Sequence, residues 1–204
     1  ASEIHAIGDA AVRTVLDVMA SLPRVAGASH RVEHAQLVAA EEVGRFGALG
    51  VAASVQPCHL ISDAEAMHRA WGGRASRAFP LAGIAAGGGL LPLGTDAPVE
   101  PPDPWPGIAA AVTRRGPGWE PDRTFGPEQA ISLERALRGA CLDGPVSAGV
   151  ADEGHLSPGA RADLLVVPAA LFDDPPDPDR IAAVRPLATV LDGTVIHATE
   201  GFDP

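Results

Sequence analysis

Strand-like and helix-like segments alternate through the first two thirds of this chain, and that alternation constrains the fold more than any other feature. A short strand is expected to end at Ile4-His5. Asp9 then caps a helix in which Val12, Val15, Leu16 and Met19 recur at the i, i+3, i+4, i+7 spacing of one apolar face. Arg31-Val-Glu-His34 reads as a second strand, followed by a helix over Glu41 to Leu49 that Gly50 breaks. Val51 to Val55 reads as a third strand, ending at Gln56-Pro57. A helix from Arg77 to Ala86, a turn at Gly87-Gly-Gly89 and a fourth strand from Leu90 to Gly94 lead to Thr95-Asp96. Four strands separated by single helices predict βαβ units and a parallel sheet. With 46% of its residues apolar, the chain can bury a substantial core.

A Pro-rich loop follows Asp96, then helices near Trp105 to Arg114 and Leu133 to Cys141. Leu133, Ala136, Leu137, Ala140 and Cys141 share a face of the latter, so Cys141 is expected in the core. The pattern changes after about residue 149. Asp163 to Val167, Ala188 to Leu191 and Thr194 to His197 read as short strands, with Leu191-Asp-Gly-Thr194 a hairpin turn. Phe172 to Arg180, rich in Pro and Asp, reads as a surface loop. The expected division is an α/β body over 1–149 and a small β unit over 150–204.

Composition removes several classes of partner. Fifteen basic residues against 26 acidic ones leave a net charge of −11, which disfavours nucleic acid and anionic membrane surfaces. The uncharged run from Ala78 to Thr95 is long enough to raise a membrane span. Pro80, Pro92 and its glycines fit a helix, turn and buried strand better. Cys58 and Cys141 form no CxxC pair, so neither a disulfide framework nor a thiolate zinc site is indicated. No targeting signal is visible at Ala1 to Asp9, and a cytoplasmic location is expected. Every basic residue is Arg. Without lysine, no Schiff base, lysine nucleophile or carboxylated lysine bridge is available.

The polar residues of interest fall at strand C-termini: His5, His34, His59 and Asp96. Sites in parallel α/β folds form at that edge of the sheet. Neutral imidazoles and carboxylates are ligands that zinc and similar metals accept in open sites. Spacing alone leaves the bland alternative standing, since a lone strand histidine is commonly a packed or surface residue. Cys58 beside His59 invites a Cys-His nucleophile, but neighbours on a strand point to opposite faces. The glycine run precedes a strand, the reverse of a dinucleotide cradle. Asp173, Asp174, Asp177 and Asp179 read as a solvated loop rather than a calcium site. His30, His68, His155 and His197 lie away from the barrel-type strand ends.

An ordered series of motifs then carries a resemblance. His5-Ala-Ile-Gly-Asp9, Glu33-His34-Ala-Gln36, Gln56-Pro-Cys-His59 with Asp63, and Gly94-Thr-Asp96-Ala-Pro-Val99 resemble the fifth- to eighth-strand motifs of the amidohydrolase superfamily, in the branch called amidohydrolase family 3. Ala110 to Arg114, Ser132 to Leu137, and Gly154 to Gly159 with Ala162-Asp-Leu164 are similar to segments closing the barrel and entering the β domain. N-substituted formamide deformylases and N-acyl-D-amino-acid deacylases are relatives of this kind.

The resemblance implies a distorted (β/α)8 TIM barrel with a composite β-sandwich, using one or two divalent metals, commonly zinc. It implies His5 and His34 as metal ligands and Asp96 as the carboxylate that meets the metal and its water. His59 becomes a substrate-facing residue that polarises a carbonyl. The family's first-strand histidine pair and fourth-strand bridging residue belong before His5. The chain is therefore expected to be the second half of such a barrel, strands five to eight, and inactive alone. Ala10 departs from an Arg often found there. The expected reaction is hydrolysis of carbon–nitrogen bonds in small-molecule amides. Deamination of a cyclic amidine, or a non-catalytic role, remains open.

Overall fold

Period-2 and period-3.6 segments fold as expected where their apolar faces can meet. The computed structural model describes residues 1–202. Strands β1 (Glu3–Ala6), β2 (Arg31–His34) and β3 (Ala52–Ser54) form a parallel sheet in that order, with Ile4 opposite Val32 and Val32 opposite Ala53. Helix α1 (Asp9–Ser21) crosses from β1 to β2 and buries Val12, Val15, Leu16 and Met19, the stripe read from the sequence. Its N-cap is Gly8, not Asp9. Asp9 is the first helical residue, where its charge favours the positive end of the helix dipole, and it also pairs with Arg74 at 2.8 Å.

Glycine and proline account for most departures. The helix expected over Glu41 to Leu49 is two pieces, α2 (Ala40–Val43) and α3 (Arg45–Leu49), parted at Gly44. Gly50 ends α3 in the left-handed conformation at φ 69°. After β3 come α4 (His59–Ser62), α5 (Ala64–Trp71) and a 3-10 turn over Gly72–Arg77. Helix α6 (Leu81–Ala86) starts four residues later than expected, because Pro80 restricts the conformation of the residue before it.

The expected fourth strand is a correction. Residues 90–94 run parallel to β3 but share only a single bridge, Val55 to Leu93. Ala53 and Val55 donate to the carbonyls of Leu90 and Pro92, and Gly94 donates to Val55. The N–H that would return a bond to Ala53 belongs to Pro92, which has none. The ladder is interrupted by that one residue.

Helix α7 (Trp105–Thr113) is buried nearly throughout. Helix α8 (Leu133–Arg138) passes into a π-helical turn over Gly139–Asp143 and then α9 (Gly144–Ala148). The wider turn rotates Cys141 off the apolar face, so it is exposed instead of packed in the core. The tail holds β4 (Leu164–Val166), β5 (Ala188–Leu191) and β6 (Thr194–Ala198) in an antiparallel sheet. Asp192 and Gly193, both at positive φ, make the β5–β6 hairpin turn. The expected loop over Phe172 to Arg180 contains the start of α10 (Pro178–Ala182), which Asp177 caps by accepting from Arg180 N–H. Leu171, Ile181 and Val184 join the core that α1 and α7 share. No described helix is long and apolar enough to cross a membrane.

Candidate active site

The carboxyl ends of the parallel strands deliver four chemically capable side chains to one cavity of about 490 Å³. His5 comes from β1, His34 closes β2, His59 opens α4, and Asp96 follows the segment that bridges β3. Gln36, Ser62, Asp63 and Glu100 complete its polar wall. The rings of His5 and His34 meet edge to face with centroids 4.4 Å apart, and His34 lies 5.9 Å from His59.

Local backbone aims these groups. His34 and Ala35 adopt φ of 72° and 41°, a left-handed turn in which Ala35 N–H donates to Ala6 at 3.0 Å. Asp96 also sits at positive φ, 61°. Non-glycine residues rarely hold this conformation, and where they do the surroundings impose it. His59 is not on a strand end as expected. Gln56-Pro57 turns the chain after β3, so His59 enters at the first residue of α4. Cys58 Sγ reaches the Thr95 carbonyl at 3.7 Å, tying that turn to the approach of Asp96. Burial, then the charge of Glu100, pushes the Cys58 thiol up to about 11. A thiol so placed is not an activated nucleophile.

His34, His59 and Asp96 each offer a ligand atom, and these atoms lie within 4.8 Å of one another. His34 Nδ1 is buried with no hydrogen-bond partner among the described residues. Burial, then the nearby His5, lowers the pKa of His34 and keeps its lone pair free at neutral pH. Two imidazoles and a carboxylate whose donor atoms cluster, one of the rings carrying an unpartnered nitrogen, make a donor set of the kind divalent metals accept. The residues fit such an ion.

Of the residues expected at the site, His34 and Asp96 fall in this converging group, together with His59. His5 adjoins it through the His34 ring and is exposed. Sequence reasoning missed Glu100, whose carboxylate lies 3.5 Å from His59 Nδ1. Its position in the Pro-rich loop, four residues after Asp96, is the only sequence signal for it.

The parallel α/β sheet thus presents histidines and an aspartate at its carboxyl edge, residue types that open metal sites use. The chain belongs to the amidohydrolase family, whose sequence profile matches residues 2–197. It is 34% identical over 177 residues to the protein LONG AFTER FAR-RED 3 of Arabidopsis thaliana, covering 84% of this chain and 30% of that protein. It is 28% identical over 199 residues to the putative amidohydrolase YtcJ of Bacillus subtilis (strain 168), covering 95% of this chain and 37% of that one. Among solved structures it resembles an uncharacterized metal-dependent hydrolase from Pyrococcus horikoshii OT3. The TM-score is 0.67 at 32% identity, over 78% of this chain and 32% of that one. The chain thus spans about a third of the length of these relatives.

Proposed function

We propose that this chain supplies part of the active site of a metal-dependent hydrolase of carbon–nitrogen bonds, with small-molecule amides as substrates. The observation that carries the reading is the convergence of donor atoms of His34, His59 and Asp96, together with an unpartnered buried nitrogen on His34. In this reading residues 1–149 are the second half of a (β/α)8 barrel, and 150–204 belong to a composite β domain.

His34, His59 and Asp96 would hold the cation, with His5 beside them. A divalent ion there, zinc in our reading, supplies Lewis acidity and makes hydroxide available near neutral pH. Asp96 takes the proton of the attacking water on a carboxylate oxygen and returns it to the departing nitrogen. That second transfer matters because an unprotonated amine is a poor leaving group. The left-handed backbone at His34 and Asp96 fixes both groups on the same wall, which holds the reacting geometry in advance.

The test uses the complete protein. Metal content per chain is measured first, then amine release from N-formyl and N-acyl substrates, alongside ammonia release from cyclic amidines. Amine release that a chelator abolishes and zinc restores is expected. Ammonia release without amine release transfers the reading to deamination, and a metal-free protein with neither activity ends it.

A further inference from the structure

His59 stands between two carboxylates. Its Nε2 lies 3.6 Å from Asp96 Oδ2 and its Nδ1 lies 3.5 Å from Glu100 Oε1. The chain sets this up by a tight turn after Asp96, in which Val99 N–H donates to the Asp96 carbonyl at 2.8 Å. The turn brings Glu100 back against the opposite edge of the same ring. Among the described residues, no arginine pairs with Glu100 and His59 is its sole salt-bridge partner. Its side chain is 21% exposed, against 39% for Asp96, so less water screens it.

A neutral imidazole has one hydrogen to give and one lone pair to offer, and its neighbours decide which nitrogen carries which. We infer that Glu100 is a positioning residue that accepts the Nδ1 hydrogen of His59 and so turns the bare Nε2 toward Asp96 and His34. The inference rests on the metal site proposed above, and extends it to a residue outside the His34–His59–Asp96 group. Each tautomer sets one lone pair against a carboxylate. The alternative sets it against Glu100, the closer and less exposed of the two, whereas the favoured one leaves it facing the better-solvated Asp96. At 3.5 Å the contact is at charge-pair distance rather than a formed hydrogen bond, and in this inference the partly exposed Glu100 side chain turns toward the ring to accept. Carboxylates behind ligand histidines act in this way elsewhere, and removing them lowers metal affinity on the order of 10–100-fold.

The experiment reads the tautomer directly. The complete protein, metal-free and labelled with ¹⁵N-histidine, is studied at pH 8.5 by two-bond ¹H–¹⁵N correlation of the imidazole rings, with His59→Gln assigning the signal. Wild type is expected to show hydrogen on Nδ1 and a bare Nε2. Glu100→Ala should shift the ring toward the other tautomer and weaken zinc binding on the order of 10–100-fold, while Glu100→Gln, whose amide oxygen still accepts, should keep most of both. Hydrogen on Nε2 in wild type, alone or together with Nδ1, overturns the inference. So does an unchanged tautomer in Glu100→Ala. If wild type takes up no zinc, the metal-site reading fails, and the tautomer still decides the part played by Glu100.

Discussion

At the scale of single residues, Asp96 and Cys58 separate the metal reading from its covalent rival. Asp96→Asn keeps an oxygen donor but has no basic carboxylate to carry a proton. In the complete protein it should retain metal and lose turnover by about 10²–10⁴-fold. Near-normal amine release from that variant contradicts the proton role. The Cys58 thiol, raised to about 11, is only about one part in a thousand ionised at pH 8. Burial raises the Cys141 thiol as well, but Cys141 is exposed and Cys58 buried, so iodoacetamide at that pH should modify Cys141 first. Peptide mapping that finds Cys58 labelled ahead of Cys141 would revive a Cys-His nucleophile.

At the scale of elements, close packing of one helix on one turn is testable. Gly47 in α3 lies against the turn after α6, and a Cβ there would sit 1.8 Å from the Gly87 carbonyl. Backbone cannot yield as a flexible side chain can, so Gly47→Ala should destabilise by about 1–3 kcal/mol, read as a lower Tm. An unchanged melting curve shows that α3 can shift freely. The same scale explains what was legible in the sequence. Helix α1 and strands β1 and β2 were readable because each buries one face with one period, and local pattern then equals tertiary environment. Residues 90–94 misled because a strand-like composition says nothing of which N–H the neighbour needs, and Pro92 stands at that place. Cys141 misled because a π turn adds a residue that no apolar repeat announces. At the site, His34 and Asp96 were legible through strand ends and motifs. Glu100 was not, since its contact with His59 exists only once the loop after Asp96 folds back.

At the scale of the whole molecule, two surfaces stand without cover. Among the described residues strand β1 pairs on one side only, leaving a parallel edge open. The β4–β5–β6 sheet exposes Leu164, Leu165, Leu191, Val195 and Ile196, with Ile196 at 59%. Apolar strands with a free edge associate with one another. These 204 residues expressed alone should therefore sediment as species heavier than 20.8 kDa and release no amine above background. A monomer of that mass with chelator-sensitive turnover would show that these surfaces and this partial site suffice by themselves.

The left-handed backbone at His34 places heat resistance and chemistry in opposition. At φ 72° the fold by itself favours glycine. His34→Gly should melt above His34→Ala, by about 1 kcal/mol of relieved strain, although both have lost the imidazole. Selection for thermostability alone would drift toward glycine at this position, and the survivors would be sturdier proteins with an empty hand.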